Sequence, residues 1–341
     1  MAYAPLEYLW GGSPWREEIE PRLEQLEFFL AVGKHDIALH TLPIFMFDPK
    51  TRLHIAQQLG MTPAESDDCP PVVLDLIGRI HSLVGFYVCW DTFNYAGASA
   101  FSLSDDLPEE HLRFAPTKEQ QEWVVRLSQI DAQPVERAIQ AELVNNTAIR
   151  DDFRAFCSAG DMTMGAENLR RLAADLYANG IRRLQDLHRE DALIRAYRCY
   201  GLIVEARLLD QSISLYGLKD SSHPVVQARL RNDKSFAANV EVNGKPTLMQ
   251  QLGLLKSCRD PFWSILKWFM ARSIFPAPGH LCSLEYDTRT SILLEGIRES
   301  RSSEASGTVA LYEQLYNVLV GDNPDYGAQW LQLAQFKSYT K

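Results

Sequence analysis

Apolar residues recur at helical spacing along nearly the whole chain, and this pattern constrains the fold more than any other feature. In segment 15–30, for example, they fall every three or four residues, which places them on one face of an α-helix. These positions are Ile19, Leu23, Leu26 and Leu30. Similar spacing continues to the C-terminal segments, so the sequence predicts an all-α bundle of many helices.

One segment departs from this pattern. Residues 239–248, "NVEVNGKPTL", contain alternating apolar residues and the pair Asn243-Gly244, which favours a tight turn between two strands. At most one short β-hairpin is therefore expected, near 239–248.

The two longest helical patterns follow a polar, glycine-containing segment, "SAGDMTMGAEN" (158–168). They are expected to pair as an antiparallel hairpin, because a short polar connection separates them. We place a boundary before this segment, which gives an N-terminal helical region, 1–157, and a helical domain, 158–341. A single continuous helical body is the alternative.

Charge limits the kinds of partner. The 341 residues carry a formal net charge of −10, with a pI near 5.3. A broadly basic surface that neutralises the phosphates of duplex nucleic acid is therefore not expected, although a local site for single-stranded RNA is compatible with this charge.

The cysteines and the N-terminal sequence favour the cytoplasm. The six cysteines are irregularly spaced and form no C-x-x-C pair, which favours free thiols in a reducing compartment. The first residues show no basic segment followed by an apolar core, so we expect no secretory signal. No uninterrupted apolar run approaches the roughly 18–20 residues needed to cross a bilayer, and no membrane association is expected.

Motifs for common cofactors and metals are missing from the sequence. It contains no glycine-rich phosphate loop, no H-E-x-x-H pair and no G-x-S-x-G elbow. The eight histidines are scattered, and His35 and His40, five residues apart, do not point at one ion. Neither a cofactor nor a metal is expected.

Three segments resemble a CRISPR-associated family, in that family's order. Segment 83–101, "LVGFYVCWDTFNYAGASAF", resembles its Y-x-x-W-D-x-F motif. Segment 169–208 is similar to its long helical hairpin, with an Asn in the first helix and "DALIRAYR" entering the second. Segment 288–296, "TRTSILLEG", resembles its closing signature R-N-x-S-I-L-x-H-G. The family is the CARF–HEPN group of type III CRISPR systems.

The resemblance implies the fold and activity of only part of that family. It corresponds to the helical HEPN effector, a metal-independent ribonuclease that usually forms its site across a dimer. The sensor domain of the family needs short strands alternating with helices, and the first 60 residues already show helical patterns. The fold is therefore expected to be HEPN-like with an N-terminal helical extension, paired with itself or with a CARF sensor or another type III component.

The catalytic signature is altered. Thr288 stands where the family has Arg, and Glu295 stands where it has His. Positions seven residues apart share one helix face, so Thr288 and Glu295 are expected to lie together, with Arg289 turned away by about 100°. An imidazole exchanges protons near neutral pH, whereas a carboxylate places negative charge where phosphate must bind.

Seven residues are candidates for the functional site. Arg289 and Glu295 are the candidate catalytic pair of a degenerate site. The remaining residues are candidates for binding RNA or a protein partner: Thr288, Arg298, Arg301, Arg182 and Arg183. Outside this signature, four aromatic residues in segment 259–275 are expected in the core or at a subunit interface rather than stacked on bases: Phe262, Trp263, Trp268 and Phe269.

Three functions remain open at this point. The first is a catalytically degenerate HEPN-like protein of antiviral defence, acting as a dimerising, scaffold or partner-binding subunit. The second is an active metal-independent endoribonuclease on single-stranded RNA that uses Arg289 and Glu295. The third is a helical-repeat adaptor. Whether the protein is an enzyme is left open.

Overall fold

The computed structural model describes residues 11–101, 103, 113–131, 162–215, 217–244, 246–272 and 305–336. Three-quarters of the described residues are helical. Fourteen α-helices and no β-strand occur within these ranges. The predicted all-α fold class is thus confirmed.

The chain forms two compact units. The first combines Met1–Asp131 with Phe336–Lys341, and the second is Ala132–Gln335. The boundary expected after residue 157 lies in segment 132–161, outside the described residues, and stays a prediction.

The first unit contains six of the helices. They are α1 (Arg16–Ala31), α2 (His35–Thr41), α3 (Pro49–Gln58), α4 (Pro71–Asp91), α5 (Tyr95–Ser99) and α6 (Lys118–Asp131). Two short 3₁₀ turns, Ile44–Phe47 and Glu65–Asp67, flank α3. The predicted helix in segment 15–30 corresponds to α1, and its four apolar positions are all buried.

Helix α4 is the centre of this unit. Ten of its 21 residues are buried, among them Tyr87 and Trp90, whose rings lie 6.2 Å apart in a stacked arrangement. Phe336 packs on both, with ring centroids 4.8 Å from Tyr87 and 4.9 Å from Trp90. The Tyr87 hydroxyl, buried with its ring, donates to the Phe114 carbonyl at 2.8 Å, so its polar group is satisfied inside the core.

The sequence patterns predicted no membrane-spanning segment, but helix α4 has the length and apolar composition of one. It is the one described helix whose length and apolar composition would allow it to cross a bilayer, and half of its apolar window is buried inside the protein. A core helix of a globular unit has the same properties, and the ten buried residues of α4 fit that role.

The second unit contains the other eight helices. They are α7 (Met162–Gln185), α8 (Arg189–Asp210), α9 (Pro224–Asn232), α10 (Lys234–Asn243), α11 (Leu248–Ser257), α12 (Trp263–Arg272), α13 (Ala305–Asp322) and α14 (Gly327–Leu333). A 3₁₀ turn, Leu218–Asp220, precedes α9.

Helices α7 and α8 form the predicted hairpin. With 24 residues, α7 extends about 36 Å at the usual rise per residue. The turn between them, 186–188, places Leu187 in the left-handed region at φ 64°. Helices α13 and α14 both pack against α7, so the hairpin is covered by the C-terminal helices.

The prediction of a short β-hairpin near 239–248 is wrong. Residues up to Asn243 belong to α10, and Gly244 ends that helix with φ 72° in the left-handed region. Thr247 then begins α11 with a capping box, in which it and Gln250 exchange side-chain and backbone hydrogen bonds. The Asn-Gly pair is therefore a helix C-terminus, which uses the same glycine conformation as a hairpin turn.

Candidate functional site

A polar contact lies inside the α7–α8 hairpin. Asn179 is fully buried on α7, and its side-chain oxygen accepts a hydrogen bond from Nε of Arg195 on α8. The same guanidinium donates from Nη1 to the Asp191 carbonyl at 3.3 Å, with the Asp191 carboxylate 3.7 Å away. Arg195 thus links both helices of the hairpin through its planar set of donors.

Burial lowers the pKa of Arg195. The neighbouring guanidinium groups of Arg183 and Arg182 lower it further, whereas Asp191 and Tyr312 oppose this effect. A cation that is partly desolvated and has two cationic neighbours is held at an energetic cost, which the Asn179 and Asp191 contacts offset.

Tyr312 of α13 packs against both helices of the α7–α8 hairpin. Its hydroxyl donates to the Ala192 carbonyl at 2.6 Å. This approach depends on Gly180, since a Cβ built there would lie only 1.8 Å from the Tyr312 hydroxyl oxygen. Burial raises the pKa of the Tyr312 phenol well above its ordinary value, which keeps the hydroxyl a donor.

Of the predicted binding residues, Arg182 and Arg183 are described. Arg182 donates from Nη1 to the carbonyl of Ala334 at 3.2 Å, and Ala334 is the C-cap of α14. A cation at that position complements the partial negative charge of a helix C-terminus. Arg183 lies 3.9 Å from Asp186. Arg182 therefore has a structural role, and binding by either residue stays a prediction.

A second polar cluster joins four parts of the unit. Arg207 of α8 makes a bidentate contact with Asp260 at 3.0 Å and reaches Asp322 of α13 at 3.0 Å. Arg170 of α7 contacts Asp322 at 2.6 Å and Asp210 at 2.5 Å. We call these five residues the ionic cluster.

The ionic cluster is largely buried. The side chains of Asp260 and Asp322 are 0% and 1% exposed, and both arginine side chains are 14% exposed. Burial disfavours a charged Arg170, but its hydrogen bonds to Asp210 and Asp322 outweigh that effect and raise its pKa above the ordinary value. Asp260 also accepts from the Phe262 backbone N–H at 2.8 Å, so the cluster fixes the turn that leads into α12.

Sequence reasoning did not find the ionic cluster. Arg170 and its partner Asp322 lie 152 residues apart, so no local pattern connects them. The local sequence signal was an arginine within an apolar helical face, at Arg207, together with an aspartate directly before a proline, at Asp260.

The signature segment cannot be placed. Thr288, Arg289, Glu295, Arg298 and Arg301 lie in 273–304, outside the described residues, and their roles stay predictions. Elsewhere in the chain, the described ranges bring together no group of three His, Cys, Asp or Glu side chains that could hold a metal ion.

The described cysteines behave as expected for free thiols. Cys69, Cys89, Cys199 and Cys258 form no disulfide. Cys199 is fully buried where α7 and α8 pack together, a region that we call the hairpin seam. Its thiol contacts the Ala173 carbonyl there, and burial raises the pKa of the thiol strongly. Such a thiol is a core residue and not a reactive nucleophile.

Comparison with known proteins gave no match: no family model, no curated protein and no solved structure is significantly similar to the chain. The fold and the two polar clusters therefore define an all-α protein with a polar seam in its central helical hairpin.

Proposed function

We propose that this chain is a CRISPR-associated, HEPN-like protein of antiviral defence in the cytoplasm. In this proposal it is catalytically degenerate and acts as a dimerising or partner-binding subunit. The observation that carries it is the Asn179–Arg195 contact. Both residues were marked by the resemblance, one as the Asn of the first helix and one as the Arg of "DALIRAYR", and they meet in the buried seam.

The all-α fold and the paired long helices support the same proposal. A motif match that arose by accident has no reason to put its two polar positions in hydrogen-bond contact. The match here joins an acceptor to a charged donor at the seam of the helix pair, where a buried polar residue needs a partner.

The altered signature supports a binding role over catalysis. Cleavage by the RNA's own 2′-hydroxyl needs a group that exchanges protons near neutral pH, and Glu295 replaces the histidine that would do so. A carboxylate at that position also repels the phosphate that must bind.

Restoring the signature is the most direct test. The double variant Thr288→Arg, Glu295→His is incubated with end-labelled single-stranded RNA in EDTA, beside the wild-type protein. We expect cleavage by the double variant and none by the wild type. The control, Arg289→Ala in the wild-type protein, is expected to be equally inactive.

Two outcomes would overturn this proposal in different directions. Cleavage by the wild-type protein that is lost in both Arg289→Ala and Glu295→Gln would make the protein an active endoribonuclease. An inactive double variant, together with a monomeric mass by light scattering, would favour a helical-repeat adaptor.

A further inference from the structure

Helices α9 to α12 present a basic surface on a strongly acidic chain. The chain has a net charge of −10, yet this surface carries four exposed cationic residues: Lys234, Lys256, Arg259 and Lys267. We call these four residues and Trp263 the basic patch. A local reversal of sign on an acidic protein needs an explanation, because scattered charges would follow the average.

The four cations are not neutralised by neighbouring carboxylates. In the described part of the chain, none of them has an Asp or Glu within ion-pair distance. Two carboxylates lie near them in sequence, and both are already bound. Asp233 pairs with Arg229 at 3.1 Å and caps α10 through the Phe236 N–H, while buried Asp260 is held by Arg207.

An aromatic ring lies among these cations. Trp263 is partly exposed at the start of α12, and the ammonium nitrogens of Lys256 and Lys267 lie over its ring, 5.4 and 5.6 Å from the centroid. Both lysines are exposed and have long flexible stems, so they can leave the ring for an anion without disturbing the core.

An open groove continues from the patch along α9. Its walls include Arg229, Asn232, Lys234 and Ser257, together with Asp233, whose carboxylate pairs with Arg229. Ser257 is the residue after Lys256, and Arg229 and Ser257 both donate to the Gly253 carbonyl, at 3.3 and 2.8 Å. The groove and the basic patch are therefore joined through the last turn of α11.

We infer that this groove and the basic patch bind single-stranded nucleic acid. The phosphates lie along Lys234, Lys256, Arg259 and Lys267, and one base stacks on Trp263 in place of a lysine. Successive cations with an interleaved aromatic ring are the arrangement that single-strand binding uses. A duplex hides its base faces, and an acidic peptide offers no base to stack, so the exposed indole favours a single strand over either.

This inference does not depend on the proposed function. It uses no residue of the hairpin seam and none of the signature segment, so either conclusion can fail alone. It also revises the expectation for Trp263, which is neither a core residue nor shown at a subunit interface, whereas Phe262 beside it is buried as expected.

The test is fluorescence anisotropy with the full-length chain and labelled oligonucleotides of about 16 nucleotides. Single-stranded RNA, single-stranded DNA of the same sequence and the corresponding duplex are compared, with poly-glutamate as a polyanion that has no bases. We expect both single strands to bind more tightly than the duplex and than poly-glutamate. The ratio of RNA to DNA affinity then identifies which of the two is preferred.

Variants locate the site. Lys256→Gln with Lys267→Gln is expected to weaken binding at least tenfold and to reduce the slope of log K against log salt by about 0.7 per lysine removed. Trp263→Leu is expected to weaken binding to single strands roughly tenfold while leaving poly-glutamate binding unchanged. The matched control is Lys50→Gln with Lys118→Gln, which removes two exposed lysines from the first unit.

Several results would overturn the inference. They are no binding of either single strand at low salt, wild-type affinity in the Lys256 and Lys267 variant, or duplex or poly-glutamate binding as tight as that of the single strands. The lysine variants are at exposed positions, so a thermal melt like that of the wild type will exclude misfolding as the cause of any loss.

Discussion

Arg195 and Asn179 lie sixteen residues apart and hydrogen bond across the α7–α8 hairpin, where Asn179 is completely buried. The contact is charge-assisted, because a guanidinium donates to an amide oxygen in a place largely removed from water. It joins the two longest helices of the second unit in the C-terminal third of α7.

Removing the acceptor is expected to be costly. Asn179→Ala leaves the Arg195 Nε donor without its partner, and a bond of this kind contributes about 1.5–3 kcal/mol. Urea unfolding of Asn179→Ala, Arg195→Ala and the double variant will give the coupling energy of the pair. Arg16→Ala, which removes an exposed ion pair with Glu20, is the control and is expected to cost less than about 1 kcal/mol. A coupling energy near zero would contradict the structural role of the contact.

Gly180 is expected to tolerate no side chain. A methyl group there would overlap the Tyr312 hydroxyl, so Gly180→Ala forces α7 and α13 apart and is expected to cost about 1–3 kcal/mol. Tyr312→Phe in the same chain removes the oxygen and is expected to restore part of that loss, as measured by thermal unfolding.

Gly201 provides the matched control for Gly180. It lies within α8 with no heavy atom near its would-be Cβ, so Gly201→Ala is expected to stabilise the protein by up to about 1 kcal/mol. A stabilisation of equal size at both positions would mean that helix propensity, and not the Tyr312 approach, sets the result.

The ionic cluster is expected to be sensitive to the loss of a single carboxylate. Asp260→Asn removes the charge that pairs with buried Arg207, and breaking a buried pair costs about 3–5 kcal/mol. Asp67→Asn, which affects a pair whose carboxylate side chain is 75% exposed, is the comparison and is expected to cost less than about 1 kcal/mol. The midpoints of urea unfolding will separate the two, and similar midpoints would mean that the cluster contributes little.

Alkaline pH is expected to destabilise the second unit through buried tyrosines. Burial raises the pKa of Tyr177 from its ordinary 10 to about 12. Below pH 10 the phenol is protonated in both the folded and unfolded states, so stability does not change with its titration. Between pH 10 and 12 only the unfolded chain loses this proton, so stability falls as pH rises, by up to about 3 kcal/mol.

Tyr177→Phe tests this assignment. The variant removes the titrating phenol but keeps the ring, so its stability is expected to fall less steeply between pH 10 and 12 than that of the wild-type protein. Unfolding free energies measured at several pH values will show the difference. Equal slopes would mean that other groups carry the alkaline sensitivity.

Local patterns predicted the helices but not the partners of their charged residues. The four apolar positions of α1 are all buried, because residues that recur with a 3.6-residue period lie on one face of the helix and that face packs into the core. The Asn243-Gly244 pair misled the prediction near 239–248, since a left-handed glycine serves both a β-turn and a helix C-terminus. Spacing along the chain could not reveal that Arg170 meets Asp322, because their contact depends on the arrangement of α7 and α13.

The same limit applies to the candidate sites. The resemblance singled out Asn179 as a motif position but gave no reason for its burial or for the Arg195 bond. For Trp263, apolar periodicity predicted a position in the core or at a subunit interface, because an indole is mostly apolar. The two lysines over its ring come from α11 and from the next turn of α12, and only the folded chain brings all three together.

Phe336 has a consequence for how this protein can be divided. Its ring packs beside Tyr87 and Trp90, although most of the sequence between it and those residues belongs to the other unit. A fragment that stops at residue 131 would therefore lack an aromatic residue of its own hydrophobic core. The N-terminal unit is not a single stretch of sequence. Recombination could therefore exchange it as a unit only if the segment that contains Phe336 were exchanged together with residues 1–131.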